Sequence, residues 1–553
     1  MIVTLFEILG SLGVFLFGMK VMSEGIQKVS GDRLRGLMRS MTQNRFAGIT
    51  TGLLITSLVQ SSSATTVMIV SFVNAQLITL TESIGLIMGA NLGTTTTFWI
   101  VSYLGFKFSL TSIALPIIGV GLPMIFFRKS QVRNTGEVFI GFGLLFLGLL
   151  FLKDAVPDIR NNPEVLSFLQ HYTGRGIFSV LFFFIIGTVL TVVVQSSSVA
   201  GAITLTLAYK GWIDFPSAAA IILGENVGTT ITANLAAIGT SLPARQAARA
   251  HFLFNIVGVL WMLVLFNPFI HFVDWILPGT ASDPTLIPIR MALFHSLFNF
   301  CNICLVVGFV PQFAALVQRF VRDRGKPGRP SERAAHLGGF IPETGELNLA
   351  ESEMEVQKMA ALTQTMFQGF VELFENPDKD LGQKFKEMRA LEEQSDKMAV
   401  ELTNDLLHCT TGNIGDRSLA EVSVLLRLVA EFEDICDCCY RLALSARRDY
   451  RKRYDLPAEA RAEISTMAKA VIQFMEFYRN ALKRDITAAD MEIAYQLEGM
   501  IDQSRKQLRK TSIRRMQEAT QVKGEVLYID VINNMEKIGN HALNILQTLR
   551  QRR

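Results

Sequence analysis

Charge is distributed very unevenly along this chain of 553 residues, and that distribution restricts its fold more than any other sequence feature. Residues 1–318 hold 29 of the 102 charged residues, and residues 319–553 hold the other 73. Long uncharged stretches in series are typical of helices that cross a bilayer, because an intramembrane charge is costly. The sequence therefore predicts an all-α chain with a polytopic membrane part (1–318), a linker (319–351) and a soluble helical part (352–553).

Seven stretches of the membrane part are long and apolar enough to form spanning helices, each of which needs about 20 residues. The first of them lacks a basic leader and a small-residue cleavage site, so we interpret it as a span rather than a signal peptide. The predicted spans are residues 5–27, 82–103, 108–127, 136–153, 217–240, 248–267 and 289–315.

Two further apolar stretches, residues 46–76 and 177–209, are each interrupted near the middle by the sequence Gln-Ser-Ser-Ser. Each half of such a stretch is too short to cross comfortably, so we predict two re-entrant hairpins of half-helices. Non-helical backbone at membrane depth is tolerated only where protein or a water-filled cavity satisfies it. The hairpin tips, at residues 60–63 and 195–198, are therefore predicted to lie inside the protein.

The lysines and arginines of the loops predict one orientation in the membrane. If both hairpins return to the side from which they came, the seven spans leave the N-terminus outside and residues 319–553 in the cytoplasm. The loops then placed inside hold ten lysines and arginines against three acids, whereas the outside loops hold six of each. Because basic residues accumulate in cytoplasmic loops, this pattern predicts a multi-pass protein of the inner or plasma membrane.

The two Gln-Ser-Ser-Ser clusters belong to a longer internal repeat. Each is followed by Gly-x-Asn-x-Gly-Thr-Thr, at residues 89–95 and 224–230, and 29 residues separate the glutamine from the first glycine in both copies. We assign repeat one to residues 1–130 and repeat two to residues 131–318. The first copy crosses three times, so the second is predicted to be inverted, and inverted repeats place substrate and ion sites near the midplane.

The hairpin tips offer hydroxyls and amides but neither a carboxylate nor a base, which argues against hydrolytic chemistry. A serine at the start of a half-helix presents its hydroxyl beside free backbone N–H groups, at the positive end of the helix dipole. Two such ends suit an oxyanion such as phosphate. The alternative is that small polar residues only allow helices to pack closely.

The Gly-x-Asn-x-Gly-Thr-Thr segments suit a cation instead. Glycine permits unwound backbone, and exposed carbonyls, asparagine oxygens and threonine hydroxyls are neutral ligands of the kind that sodium uses in broken-helix transporters. Glu225 is the one acid deep in a predicted span, and an intramembrane acid suggests a role in binding the coupling cation or carrying a proton. Ala90 occupies the matching position in repeat one, so the repeats are chemically unequal.

A third pattern, His-x-x-x-Asn, occurs at His251 and Asn255 and again at His295 and Asn299. This spacing puts both side chains of a pair on one helical face. One interpretation is a polar strip that faces the transport cavity. We favour the other, in which the pairs form hydrogen bonds between helices.

The soluble part has the apolar three- and four-residue steps of amphipathic helices. The predicted helices, in two sets of three, are residues 354–376, 383–408, 418–448, 458–482, 488–519 and 524–551. Acidic i, i+4 pairs recur at matching places in the two sets: Glu392/Asp396 with Glu498/Asp502, and Glu433/Asp437 with Glu536/Asn540. Such pairs either hold a metal or form solvated faces with intrahelical ion pairs.

In its duplicated Gln-Ser-Ser-Ser and its acidic helical pairs, the chain resembles the bacterial sodium–phosphate cotransporters, which are relatives of the type II cotransporters. It is similar to the subgroup that carries a C-terminal PhoU-like domain. The resemblance implies that phosphate is bound by Gln60, Ser61, Ser62, Ser63, Gln195, Ser196, Ser197 and Ser198. It implies that sodium lies near Asn91, Thr94, Thr95, Asn226, Thr229 and Thr230, to which the residues themselves add Glu225. It also implies a divalent metal in the C-terminal domain at Glu433, Asp437 and Glu536, where Asn540 replaces an expected aspartate and weakens the second site.

The sequence therefore predicts a secondary transporter of inorganic phosphate, coupled to sodium and working by alternating access, with a regulatory cytoplasmic domain and no required cofactor. A driving cation is sensible because moving an anion inward costs about 2.3 kcal/mol per charge per 100 mV. The alternatives are a transporter of another small anion or an amino acid, or a membrane receptor or channel with a helical output domain. An enzyme is disfavoured, no nucleic acid partner is predicted, and the oligomeric state is left open, with a homodimer as one option.

Overall fold

The computed structural model describes residues 2–40, 44–74, 77–107, 110–156, 172–238, 240–277, 279, 286–322, 345–375, 381–411, 416–452, 454, 456–482, 484–518 and 522–551. Within these residues every regular element is a helix, which confirms the predicted all-α class. The chain divides into two compact units, Met1–Leu347 and Asn348–Arg553, and each is described by itself.

The first unit contains two runs of helices. The first run is α1 (Ile2–Ser40), α2 (Arg45–Val59), α3 (Ser62–Asn74), α4 (Leu80–Lys107), α5 (Leu110–Ile125) and α6 (Ser130–Ala155). The second run is α7 (Ile177–Val194), α8 (Ser197–Tyr209), α9 (Phe215–Gly228), α10 (Thr230–Ala236), α11 (Leu242–Ile276), α12 (Ile287–Val307) and α13 (Val310–Phe320).

In the described part of this unit, six helices are long and apolar enough to cross a membrane, namely α1, α4, α6, α7, α11 and α12. Several such helices in one compact unit identify a multi-pass membrane protein, as predicted. Helix α7, which we expected to be a half-helix too short to cross, is among them with 18 residues, whereas its counterpart α2 has 15.

Two predicted spans are each divided in the structure. The stretch 217–240 forms two helices, α9 and α10, which meet at Thr229. The stretch 289–315 ends as α12 at Val307, and Pro311 opens α13 within its first turn, where proline is tolerated but could not continue a preceding helix. Hydropathy alone did not locate either division because both flanks are equally apolar.

Helix α5 is also shorter than its predicted span of residues 108–127. It has 16 residues and carries Pro116 and Pro123 in its interior, where each removes a backbone hydrogen bond. It packs against α4 and α6 and falls among the shorter apolar helices.

Glycines set the close approach of the paired helices α2/α4 and α7/α9. A Cβ atom at Gly52 would overlap the carbonyl oxygen of Leu86, and one at Gly187 would overlap that of Ile221. Small residues let helix backbones approach one another in membrane proteins. Both halves of the unit therefore use the same glycine-mediated contact between the helix before the Gln-Ser-Ser-Ser break and the helix that follows the hairpin.

The second unit consists of α14 (Gly345–Glu375), α15 (Leu381–Thr411), α16 (Asp416–Lys452), α17 (Ala458–Ala481), α18 (Ala488–Glu518) and α19 (Val522–Arg550). These are the six predicted helices, and their ends agree with the prediction to within four residues, except that α14 begins at Gly345 rather than at residue 354. One apolar core joins them, in which the hydroxyls of Thr363 and Tyr478 lie 2.6 Å apart. Helix α14 begins inside the predicted linker, most of which, residues 323–344, lies outside the described residues.

Candidate functional site

The two Gln-Ser-Ser-Ser segments break the helix at the same place in each half. Helix α2 ends at Val59 and α7 at Val194, and the next residue, Gln60 or Gln195, has φ 55° with ψ 22° or 21°. Among the described residues these glutamines are the only non-glycine residues with positive φ. The left-handed region costs a non-glycine residue free energy, and such strain persists where the surroundings impose it, often at functional sites.

The serine after each glutamine caps the following helix. The Ser61 Oγ accepts a hydrogen bond from the Ala64 backbone N (3.2 Å), and the Ser196 Oγ accepts one from the Val199 N (3.4 Å). The remaining serines lie in the first turns of α3 and α8, are at most 9% exposed, and have hydroxyls without a hydrogen-bond partner among the described residues: Ser62, Ser63, Ser197 and Ser198. Each break therefore presents unpartnered hydroxyls at the positive end of a helix dipole.

The two glutamine side chains have different partners. The Gln60 Nε2 donates to the Ser57 carbonyl oxygen (2.5 Å), and its Oε1 accepts from the Thr97 hydroxyl (2.8 Å). Within the described residues the amide of Gln195 has no such partner. The first glutamine is thus fixed to α4, while the second keeps both its donor and its acceptor for other groups.

Helix α4 contacts segments of both halves through consecutive residues. Thr97 donates to Gln60 at the first break. The ring of Phe98 lies against Gly201 of α8, so closely that a Cβ there would overlap it, and α8 begins at the second break. The same ring meets His295 edge-on, with ring centroids 4.5 Å apart.

The Gly-x-Asn-x-Gly-Thr-Thr segments are helical rather than unwound, which corrects our expectation of exposed backbone carbonyls. Helix α4 continues through residues 89–95, and at the end of α9 the Thr229 N still donates to the Glu225 carbonyl oxygen (3.0 Å). The glycines serve close packing instead: a Cβ at Gly89 would overlap the Ile49 carbonyl oxygen. The four threonine hydroxyls donate to backbone carbonyl oxygens three or four residues earlier in the chain, with Thr94, Thr95, Thr229 and Thr230 as donors.

The repeat asparagines are held by the His-x-x-x-Asn helices. The His251 Nε2 of α11 lies 3.3 Å from the Asn91 Oδ1 of α4, and the His295 Nε2 of α12 lies 3.3 Å from the Asn226 Oδ1 of α9. The interpretation of interhelical hydrogen bonds is therefore confirmed. The partners of these histidines could not be predicted from sequence, because Asn91 and His251 are 160 positions apart.

Glu225 is 2% exposed in α9. Its Oε1 lies 2.7 Å from the Thr204 hydroxyl of α8, and its Oε2 has no hydrogen-bond partner. Ala90, which occupies the equivalent position in α4, is fully buried. The second half thus holds one buried carboxyl oxygen that a ligand can engage, and the first half has no equivalent.

In the second unit, ligand atoms of Glu392, Asp396 and Asp437 lie within 4.8 Å of one another. Glu433 is close enough to respond to this cluster, because burial and the charges of Asp437, Asp434 and Asp396 raise its pKa. Burial and the neighbouring Asp396 and Asp437 raise the pKa of Glu392 as well. Clustered carboxylate oxygens are the donor set that a hard divalent cation prefers.

The matching cluster of the second helix set contains cations. Asp502 pairs with Arg505 (2.9 Å) and Lys506 (2.6 Å), and Arg505 also lies 3.7 Å from Glu536. Glu536 in turn accepts a hydrogen bond from the Asn540 side chain (3.2 Å). A guanidinium group therefore lies among the acids at this place.

A further trio, absent from our predictions, comprises Glu431, Asp434 and His541. The His541 Nδ1 lies 2.7 Å from a Glu431 oxygen, and this hydrogen bond raises the pKa of His541. The trio joins α16 to α19, so it links the two helix sets. The sequence spacing could not reveal it because its members come from distant segments.

These features define a multi-pass membrane protein whose two similar halves place polar groups at paired helix breaks, joined to a helical domain. Residues 14–154 and 162–274 match the sequence model of the Na+/Pi-cotransporter family, and residues 356–446 match that of the PhoU domain. Most of the first unit is therefore similar to the Na+/Pi-cotransporter family, a family of transporters, and part of the second unit is similar to the PhoU domain.

Individual proteins are similar to parts of this chain. The "Putative inorganic phosphate export protein YjbB" of Escherichia coli K12 is 29% identical over 371 residues, which are 66% of this chain and 64% of that protein. The rat "Sodium-dependent phosphate transport protein 2A" is 40% identical over 98 residues, 17% of this chain and 15% of that protein. A crystal structure of PhoU from Pseudomonas aeruginosa aligns with 36% of this chain and 95% of its own, at 17% identity and a TM-score of 0.34.

Proposed function

We propose that this protein is a sodium-coupled secondary transporter of inorganic phosphate that works by alternating access. In this proposal the N-terminus lies outside, and the PhoU domain lies in the cytoplasm and regulates transport. One observation carries the proposal: two matched helix breaks, each with a left-handed glutamine, present the hydroxyls of buried serines, which have no hydrogen-bond partner among the described residues.

The chemistry of these breaks suits an oxyanion. Ser62, Ser63, Ser197 and Ser198 can donate to anion oxygens, as can the free N–H groups of the first helical turns. The amide of Gln195 adds a donor and an acceptor. An acceptor favours phosphate over sulfate, because phosphate keeps at least one proton near neutral pH whereas sulfate has none to donate.

Sodium would supply the charge that this neutral cradle lacks. The hydroxyl oxygens of Thr94, Thr95, Thr229 and Thr230 keep lone pairs while their protons bind the helix backbone, and the Oε2 of Glu225 is unpartnered. Oxygen ligands of this kind bind sodium in other broken-helix transporters. A cotransported cation also offsets the membrane potential, which costs about 2.3 kcal/mol per charge per 100 mV.

Labelled-phosphate flux in sealed proteoliposomes, with the sodium gradient imposed in each direction in turn, tests this function. We expect saturable flux that follows the sodium gradient and that unlabelled phosphate inhibits, but sulfate and amino acids do not. The direction of flux under each gradient also establishes whether uptake or export is favoured. If sulfate or an amino acid inhibited the flux and unlabelled phosphate did not, phosphate would not be the substrate. Flux that neither saturates nor depends on the sodium gradient would favour a channel.

The assignment of the site is tested by Ser62→Ala and Ser197→Ala, which should each abolish flux while the protein still inserts and purifies normally. Ser83→Ala is the matched control, because Ser83 is a buried serine of α4 whose hydroxyl donates to the Leu80 carbonyl oxygen of its own helix. Normal transport by both hairpin variants would show that the serine clusters do not bind the substrate.

For the PhoU domain we propose that Glu392, Asp396, Glu433 and Asp437 bind a divalent metal, whereas the Arg505 side chain takes the place of a metal at Glu536. We expect Mn2+ to raise the thermal unfolding temperature of the full chain. Asp396→Asn should remove that increase, and Asp502→Asn, at the matching position of the second set, should leave it intact. Equal loss in both variants would contradict the one-sided assignment.

A further inference from the structure

Each His-x-x-x-Asn helix leaves one side-chain carbonyl oxygen without a partner in the buried interior. Asn255 of α11 and Asn299 of α12 are both 0% exposed, and the Oδ1 of each has no hydrogen-bond partner. A buried polar atom without a partner has lost its hydrogen bonds to water without replacement, so an uncompensated pair at matching positions calls for an explanation.

The orientation of both amides is fixed by their other atom. The Asn255 Nδ2 donates to the His251 carbonyl oxygen (3.1 Å), and the Asn299 Nδ2 donates to the His295 carbonyl oxygen (3.0 Å). Rotating either amide by 180° would place its oxygen against a carbonyl oxygen. The unpartnered atoms are therefore oxygens, which accept and cannot donate.

The asparagines of the repeat motif are engaged differently. The Oδ1 of Asn91 and that of Asn226 each face a histidine Nε2, and the Asn226 Nδ2 donates to the Ile222 carbonyl oxygen. Their oxygens already accept a hydrogen bond, so they are poorer cation ligands than the sequence suggested. Each cluster thus has one engaged and one free amide oxygen, and the free one belongs to the helix outside the repeat motif.

We propose that Asn255 and Asn299 each supply a side-chain oxygen to the transported sodium ion, and that His251 and His295 are positioning residues that hold the neighbouring amides. This inference rests on the sodium coupling proposed above. A lone-pair oxygen in a buried site attracts a cation and repels a phosphate oxygen. Neutral amide ligands suit a monovalent ion, because few charges need to be balanced inside the membrane.

The two helices give the clusters a common architecture. In each one the asparagine follows its histidine by four residues and therefore lies on the same helical face. The histidine reaches across to the repeat helix, α4 in the first half and α9 in the second. Asn255 lies beside Asn91, with its Nδ2 3.5 Å from the Asn91 Oδ1, and Asn299 lies one helical turn after the histidine that contacts Asn226. Asn91 and Asn226 belong to the segments whose oxygen ligands suit a cation.

The test is the sodium dependence of labelled-phosphate flux in proteoliposomes, compared with the phosphate dependence at saturating sodium. Asn255→Leu and Asn299→Leu should raise the half-saturating sodium concentration on the order of tenfold, as expected when one ligand worth about 1.4 kcal/mol is lost. The half-saturating phosphate concentration should stay near that of the unaltered protein.

The matched control is Asn302→Leu. Asn302 is a fully buried asparagine of α12 whose two amide atoms are both partnered: its Nδ2 donates to the Phe254 carbonyl oxygen (3.0 Å) and its Oδ1 accepts from Trp261 (3.2 Å). Its loss should lower thermal stability without changing the sodium dependence of flux.

Two further variants keep the proposal testable if the leucine variants do not fold. Asn255→Asp and Asn299→Asp give up the hydrogen bond to the histidine carbonyl oxygen, but their charge strengthens the oxygen ligand, so they should lower the half-saturating sodium concentration. For the positioning role, His251→Phe should raise that concentration, and His251→Gln should restore it because the glutamine Nε2 can donate to Asn91.

The outcomes separate this inference from the proposed function. If flux by the unaltered protein does not depend on sodium, the proposed function fails. If it depends on sodium but the half-saturating concentration is unchanged in the leucine variants, or in the aspartate variants where the former do not fold, only the assignment of Asn255 and Asn299 is wrong. A shift of the same size in Asn302→Leu would show a general structural effect and would equally overturn the assignment.

Discussion

The two halves of the membrane unit share their backbone geometry but not their chemistry. Both have a left-handed glutamine after the first half-helix, a glycine packed against a facing carbonyl, and a histidine 3.3 Å from the repeat asparagine. Among the described residues, the second half alone has a buried acid, Glu225, and the first half alone has a glutamine that is bound by a threonine, Thr97. Close packing tolerates little change, whereas single side chains can differ without disturbing the backbone.

This contrast separates two tasks. An anion cradle benefits from two similar helix ends, since each supplies equivalent donors. A single acid is sufficient to favour one cation, and a second would add a charge that the membrane interior disfavours. We therefore expect matched substitutions of the shared backbone features to reduce stability equally in the two halves. Substitutions of the side chains that differ should have an effect in one half and not in the other.

The largest effect is expected at the shared glycines. Gly89→Ala and Gly224→Ala would each drive a methyl group into a backbone carbonyl oxygen of the facing helix. Each should lower the free energy of unfolding by about 3 kcal/mol or more, the upper range for overpacking. Thermal unfolding and the yield of monodisperse protein in detergent measure this.

Gly10→Ala, in α1, is the control, because nothing lies within 4 Å of a Cβ at that position. A large loss of stability in only one of the Gly89 and Gly224 variants would show that the two halves are not structurally equivalent.

A smaller, functional effect is expected at Glu225. Glu225→Ala gives the second half the residue found at position 90 of the first, and it should reduce sodium-driven phosphate flux on the order of tenfold or more, as for the loss of a charged hydrogen-bonding group worth about 1.5–3 kcal/mol. Flux and protein yield are measured together. Glu82→Gln serves as the control, because Glu82 caps the exposed start of α4 through Thr79. Unchanged flux in Glu225→Ala would mean that the chemical asymmetry has no role in coupling.

The smallest effect distinguishes the two glutamines. Gln195→Gly should raise the unfolding free energy by about 1 kcal/mol, because glycine adopts the left-handed conformation without steric cost. Gln60→Gly has the same gain but loses two hydrogen bonds worth about 1 kcal/mol each, so it should be destabilising. Thermal unfolding of the two purified variants measures the difference, and equal shifts would show that the Gln60 contacts contribute nothing.

Much of this organisation follows from the sequence alone. The separation of the two units, the six C-terminal helices and the two helix breaks depend on apolar periodicity and on the repeat spacing, which are local patterns. The division at Thr229 was not predicted because the mean hydropathy of the sequence is the same on both sides of that residue. The glycines were misinterpreted because glycine serves equally for unwinding and for close packing, and only the position of the facing helix decides between them.

Long-range contacts could not be predicted. Nothing near Asn91 in the chain indicates that His251 is its partner, and the free oxygens of Asn255 and Asn299 are recognisable only once the other atoms of those amides are paired. Likewise Arg505 lies outside the acidic i, i+4 pattern, yet it changes the chemistry of the second acidic cluster. The sequence patterns therefore indicated candidate residues, and the contacts in the structure changed the roles that we propose for some of them.

The position of the Phe98 ring has a consequence for the coupling between the proposed phosphate and sodium sites. It rests on Gly201 in the helix that begins at the second serine cluster, and its neighbouring face meets the imidazole of His295. There is no free space on the glycine side, so a displacement of that helix would push the ring toward the histidine. One uncharged benzyl group thus connects the helix of the second serine cluster with the imidazole that holds Asn226, by steric contact alone.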